Sequence, residues 1–219
     1  LDLIAPRLLE MQFQHATHTA IDAAMLRYMQ VLGRGSHFLC STDKQKTFYR
    51  SWLMLSGIYG GDDPIDVIPI SASPQVPQRT CDASKELTFI YGGVFWPWQR
   101  PSGYLNRVLT SLQHHGHGRL LVIGGSYPLA SEDSTAAAFT DTLASNPHLM
   151  LKPLLPYEEM EEAFLNAHVA VDLSERNPER ELSFSYRIIE YLRCGLPVVC
   201  NHYLAIASDI ESYQAGWVL

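Results

Sequence analysis

The chemically richest stretch of the chain is Glu181-Leu182-Ser183-Phe184-Ser185-Tyr186-Arg187-Ile188-Ile189-Glu190-Tyr191-Leu192-Arg193-Cys194-Gly195-Leu196-Pro197-Val198-Val199. Its spacing predicts a helix over Ser183–Arg193, capped by Ser183, with Phe184, Ile188 and Leu192 as the buried stripe and Gly195 as the stop. A helix N-terminus presents free N–H groups and a positive dipole end, which suits an anion such as a diphosphate. Arg187, one turn in, adds a cation, and Glu190 can accept two hydrogen bonds from a ribose diol. The same two residues lie three apart on one helix face. A surface ion pair worth ~0.3–0.5 kcal/mol therefore accounts for them equally well.

Two other places have the right residue types. Tyr91-Gly92-Gly93-Val94-Phe95-Trp96-Pro97-Trp98 follows a strand-like run and leads to Pro101-Ser102, where a helix is expected to open. Paired glycines let a backbone approach a ligand closely, although plain turn chemistry explains them as well. The Trp96 and Trp98 rings can equally pack at a domain seam. Leu154-Leu155-Pro156-Tyr157-Glu158-Glu159 joins a strand to a helix, with Pro156 suited to the helix start and Tyr157 able to stack on a base. An ordinary helix start is the competing reading there.

These places make sense only if a scaffold brings them together, and the flanking runs describe one. From Glu86 onward, apolar runs at Leu87–Val94, Arg119–Gly124, His148–Leu151, His168–Leu173, Leu196–Cys200 and Trp217–Leu219 alternate with helical patterns. Those patterns span Ser102–His114, Ser134–Leu143, Tyr157–Asn166, Ser183–Arg193 and Ile206–Gln214. The runs are continuous rather than alternating, as strands buried on both faces require. The expectation is an α/β fold with a doubly wound parallel sheet, whose ligands sit at the carboxyl ends of the strands.

The first 70 residues read as part of another α/β domain, with helices at Thr17–Val31 and Lys44–Leu55 and strands at His37–Ser41 and Ile65–Ile70. Residues 71–85, with three prolines and no apolar periodicity, read as a linker, and 86–219 as the second domain. The chain lacks Met at position 1 and stops inside a strand-like run, so it is expected to be a piece of a longer protein, truncated in its second domain.

Composition narrows the partners. The 219 residues are 47% hydrophobic and 18% charged with a net charge of −7, which fits a globular chain without the clustered cations that nucleic acid demands. No apolar run reaches the ~18 residues of a membrane span. Four cysteines (Cys40, Cys81, Cys194, Cys200) without ligand-like spacing point to reduced thiols in a cytoplasmic protein. His114-His115-Gly116-His117 follows a helix end in a polar loop, and no metal site is expected there or elsewhere. The absence of a third glycine after Gly92-Gly93 argues against a dinucleotide-dependent oxidoreductase.

The stretch LSFSYRIIEYLRCGLPVV resembles the signature of the large retaining group-1 family of GT-B glycosyltransferases, and FIYGGVFWPWQRPS resembles the first glycine loop of its donor-binding, Rossmann-like domain. HFLCSTDKQKTFYRSWL and LDLIAPRLLE resemble segments of that family's N-terminal, acceptor-side domain. The resemblance implies transfer of a sugar from a nucleotide-diphosphate donor to a glycan, lipid-linked or other cell-envelope acceptor, with retention and without a metal or other cofactor. It implies Glu190 on the ribose, Arg187 near the diphosphate, Gly92 and Gly93 facing the phosphates, and Pro156 and Tyr157 along the base. Ser183 and Ser185 join them at the helix start. Arg187 and Glu181 are the implied catalytic pair. Peripheral membrane contact is implied through the rest of the N-terminal domain, and the oligomeric state is left open.

Two departures stand out. The family's first glutamate would fall at Leu182, with Glu181 one residue off, and the lysine expected after the glycine loop is replaced by neighbouring Gln99 and Arg100. A non-catalytic module that kept the fold and lost donor contacts is the alternative reading.

Overall fold

The computed structural model describes residues 4–61, 63–79, 86–96, 98–99, 101–126 and 146–219. The helix expected over Ser134–Leu143, together with Cys81 and Arg100, lies outside these residues. The chain divides into two compact units. The first takes the described residues of Leu1–Ile70 with Arg176–Phe184 and Tyr203–Ala205; the second takes those of Ser71–Glu175, Ser185–His202 and Ile206–Leu219.

In the first unit, α1 (Ile4–Phe13), α2 (His18–Leu32) and α3 (Asp43–Leu55) accompany two short parallel strands, β1 (Phe38–Cys40) and β2 (Ile65–Val67). Thr17 and Thr42 start α2 and α3 by accepting N–H bonds from Ala20 and Gln45 at 3.2 and 3.0 Å. Leu32, Phe38, Cys40, Tyr49, Leu53 and Ile65 form the core, each large side chain worth ~1.5–3 kcal/mol when fully buried. The short helix α6 (Pro178–Leu182), capped by Asn177, also belongs here, and Thr42 Oγ1 donates to the Leu182 carbonyl at 3.3 Å. Helix α1 was not anticipated from LDLIAPRLLE. Its Pro6 sits in the first turn, where a missing N–H costs nothing.

The second unit is the doubly wound parallel sheet that the apolar runs predict. Its strands are β3 (Thr88–Phe95), β4 (Arg119–Ser126), β5 (Leu149–Lys152), β6 (Val169–Asp172), β7 (Val198–Cys200) and β8 (Gly216–Val218), in the order β5-β4-β3-β6-β7-β8, all parallel. Tyr91, Leu120, Val122 and Val171 share one face with Leu105, Leu109 and Leu112 of α4 (Ser102–His115). On the opposite face Gly92 meets α5 (Tyr157–Asn166), where an added Cβ would lie 3.0 Å from Phe164 Cε1 and 3.2 Å from Met160 Sδ. Helix α7 (Tyr186–Arg193) ends at Gly195, and α8 (Ala207–Ser212) precedes β8. Order runs outward from β3 in both directions, so the sheet reverses between β3 and β6. Crevices at such a reversal, at the carboxyl ends of the strands, are where this architecture takes ligands.

Segment 71–79 is irregular, and Arg79 ties it to the second unit by donating to the carbonyls of Gly195, Ala167 and His168. Among the described residues no helix is long and apolar enough to cross a membrane.

Candidate functional site

The helix expected over Ser183–Arg193 runs from Tyr186 to Arg193. Ser183 closes α6, its N–H donating to the Glu179 carbonyl at 2.8 Å, and Ser185 starts α7, accepting the Ile188 N–H at 3.5 Å. Two serines in cap-compatible surroundings made the choice ambiguous in sequence; Ser183 is already taken as the extended residue (φ −73°, ψ 150°) that ends α6. The buried residues of α7 are Ile188, Tyr191 and Arg193, while Phe184 and Leu192 are only half-buried.

At the reversal between β3 and β6, Asp172 ends β6 with 1% of its side chain exposed. Its Oδ2 accepts the Ser185 hydroxyl at 2.7 Å and its Oδ1 accepts Arg187 Nη1 at 3.1 Å. The Arg187 guanidinium also lies over the Tyr91 ring, 4.5 Å from its centroid. Burial works against the Arg187 charge, but Tyr91 and the Asp172 carboxylate outweigh it and hold the group protonated. Gly93, φ +141°, lets the strand pass beneath: a Cβ there would sit 3.0 Å from Arg187 Nε and Nη2. Gly92 donates its N–H to the Tyr191 hydroxyl at 2.9 Å, and burial keeps that phenol protonated far above its usual range. Both glycines lie inside β3 rather than in a loop beyond it.

A second cluster surrounds the far end of α7. Glu190 Oε2 accepts the Tyr157 hydroxyl at 2.9 Å and Arg193 Nε at 3.0 Å. Arg193 Nη2 donates to Tyr157 Oη at 2.7 Å and to Glu161, and Nη1 donates to the Gln75 carbonyl at 3.1 Å. Glu161 and Glu190 keep Arg193 charged, with burial opposing them. Burial first and Glu190 second push the Tyr157 phenol up.

The structure therefore gathers Gly92, Gly93, Ser185 and Arg187 at one place and Tyr157 and Glu190 at another, both on the second unit. Pro156 sits just before α5 as expected. The competing reading of Arg187 and Glu190 as an ion pair with each other is not met; each residue turns to a different partner. Glu181 and Ser183 fall in the first unit. There Glu181 accepts Arg176 Nε at 2.6 Å, and that guanidinium lowers its pKa. Asp172, Tyr91, Tyr191, Arg193 and Glu161 were missed by sequence reasoning. Asp172 carried a signal, as a carboxylate ending an otherwise apolar strand, and so did Arg193, three residues beyond Glu190. Among the described residues no group of three His, Cys, Asp or Glu side chains could share a metal ion.

No sequence-family model and no curated protein matches the chain. Solved structures do. Sucrose-phosphate synthase from Thermosynechococcus elongatus superposes with a TM-score of 0.68 at 16% identity, over 95% of this chain and 52% of that one. WaaG, a glycosyltransferase involved in lipopolysaccharide biosynthesis, gives 0.56 at 16% identity, over 83% of this chain and 48% of that one. The pneumococcal O-GlcNAc transferase GtfA, solved with UDP and GlcNAc, gives 0.54 at 16% identity, over 78% of this chain and 31% of that one. The chain thus has the GT-B glycosyltransferase fold, over about half the length that fold occupies in sucrose-phosphate synthase and WaaG.

Proposed function

We propose that this chain is the donor-binding part of a glycosyltransferase that moves a sugar from a nucleotide-diphosphate donor to a glycan, lipid-linked or other cell-envelope acceptor. The observation that carries the reading is Arg187, a cation fixed at the sheet's reversal beside the first turn of α7. Its side chain keeps 15% exposure. A pre-oriented cation and a helix N-terminus are what a departing nucleoside diphosphate needs as negative charge builds on it. Glu190 supplies the second contact. Among the described residues both donors reach its Oε2, and none reaches Oε1. A sugar-nucleotide ribose would use that oxygen, with Tyr157 beside it at the base. GtfA, solved with UDP and GlcNAc, supports this ligand class. Retention, independence of metal and a cytoplasmic location belong to the same proposal, on likeness to the family.

A thermal-shift panel of UDP-, GDP-, ADP- and dTDP-sugars tests it. A ligand at a hundredfold excess over its Kd adds ~2.7 kcal/mol of stability, so one donor class should raise Tm clearly. Glu190→Gln should then weaken ribonucleotides about ten- to hundredfold more than 2′-deoxy analogues, the value of a charged hydrogen bond. One observation favours the non-catalytic alternative: Arg187 already has a counter-ion in Asp172. No shift with any nucleotide sugar would select that alternative.

A further inference from the structure

Arg193 has no part in the proposed donor contacts, yet its guanidinium is nearly saturated. Only 5% of the side chain is exposed. Four donations leave it: to Glu190, Tyr157, Glu161 and the Gln75 carbonyl. Two carboxylates converge on this one cation, so the cluster keeps a net negative charge. Without the cation, Glu161 and Glu190 would repel each other, and among the described residues only the hydroxyl of Tyr157, a residue 56% exposed, would restrain Glu190.

Acceptor capacity makes the arrangement specific. A carboxylate oxygen has two lone-pair sites. Oε2 of Glu190 has both occupied, by Arg193 Nε and the Tyr157 hydroxyl. Among the described residues no donor reaches Oε1, which leaves it two sites for the two donors of a vicinal diol. We infer that Arg193 is a positioning residue that fills Oε2 of Glu190 and fixes its orientation, so that Oε1 alone reads the two ribose hydroxyls. The inference rests on the proposed ribose contact at Glu190.

The test is calorimetry on the whole 219-residue chain with UDP, ADP and their 2′-deoxy forms. In the wild type the ribonucleotide should bind about tenfold or more tighter than its deoxy form. Arg193→Met should bring that ratio close to one while deoxy affinity changes less than about twofold, because a bond to the 2′-hydroxyl is what is lost. Arg193→Lys keeps a cation but loses the fork that reaches Glu190 and Glu161 together, so its ratio should be intermediate. Should the methionine variant fail to fold, the lysine variant decides. A full wild-type ratio in Arg193→Lys, or in a folded Arg193→Met, while Glu190→Gln abolishes it, overturns this inference and leaves the proposed function standing. A wild type that binds none of these nucleotides, or a Glu190→Gln with an unchanged ratio, overturns the ribose reading and this inference together.

Discussion

Helix α7 carries an arginine near each end, and the molecule holds the two in opposite ways. Arg187 meets one carboxylate, Asp172, that is almost wholly buried and that also accepts the Ser185 hydroxyl. Charge there is balanced one to one, and every group has a neighbour from a different element. Arg193 meets two carboxylates, Glu161 and Glu190, each with 28% of its side chain exposed, so charge at that end is unbalanced. The balanced end is built to stay as it is; the unbalanced end keeps an acceptor to offer. In sequence the two look alike, since Arg187–Glu190 and Glu190–Arg193 share one spacing. Partners from β6 and α5 make the difference.

The contrast is broken most forcefully at the buried end. Asp172→Ala leaves the Arg187 charge unpaired and Ser185 without its acceptor, and should cost ~3–5 kcal/mol in urea unfolding. A loss below about 1 kcal/mol would show that Arg187 is solvated, and the two ends would no longer differ. Gly93→Ala comes next. It asks an alanine to hold φ +141° with its Cβ against the guanidinium, so a loss of ~1–3 kcal/mol and weaker nucleoside diphosphate binding are expected together. Stability lost without any change in binding would detach Arg187 from the ligand.

Glu161→Gln probes the edge. Removing one of two partly exposed carboxylates should cost less than ~1 kcal/mol, because Glu190 still pairs Arg193. A cost near that of Asp172→Ala would make the edge as structural as the interior. The smallest effect belongs to Asp63 in the first unit, where Lys46 at 2.7 Å and Arg50 at 2.5 Å hold the carboxyl at about 2, below the ordinary 3.8. Its folded pKa is lowered, so its contribution is present above about pH 4 and fades as pH falls toward 2. Asp63→Asn should flatten the acid limb of the stability curve in that window, and a slope unchanged from wild type would assign acid sensitivity elsewhere.

Much of the scaffold was legible because strands buried on both faces must be apolar throughout: Leu120 to Ile123 and Val169 to Val171 can hardly be anything else. Helix α5 was legible over its whole length, since Pro156 and the acidic first turn mark its start. The site was less so. Arg187 and Glu190 were recognisable as ligand-type residues, but Asp172 and Tyr157, a partner of each, come from elements 15 and 33 positions away. No helical periodicity reports such contacts. Glu181 shows the same limit from the other side. Its neighbour in space is Arg176, and a break in the helix at Ser183 sends it with the first unit.

The strand order has a kinetic consequence. All six strands pair with a sequence neighbour on at least one side, but β3 and β6 are brought together across a long stretch of chain, by Phe89↔Val169 and Ile90↔Ala170. Local closure can assemble β3-β4-β5 and β6-β7-β8 separately, whereas joining them requires closing the long loop between. The Gly92–Tyr191 bond and the Arg187 contact with Tyr91 both span that seam. The crevice is then among the last parts of the unit to form. Asp172→Ala should accelerate unfolding while leaving the refolding rate near that of wild type, and slowed refolding would place the seam in the folding nucleus instead.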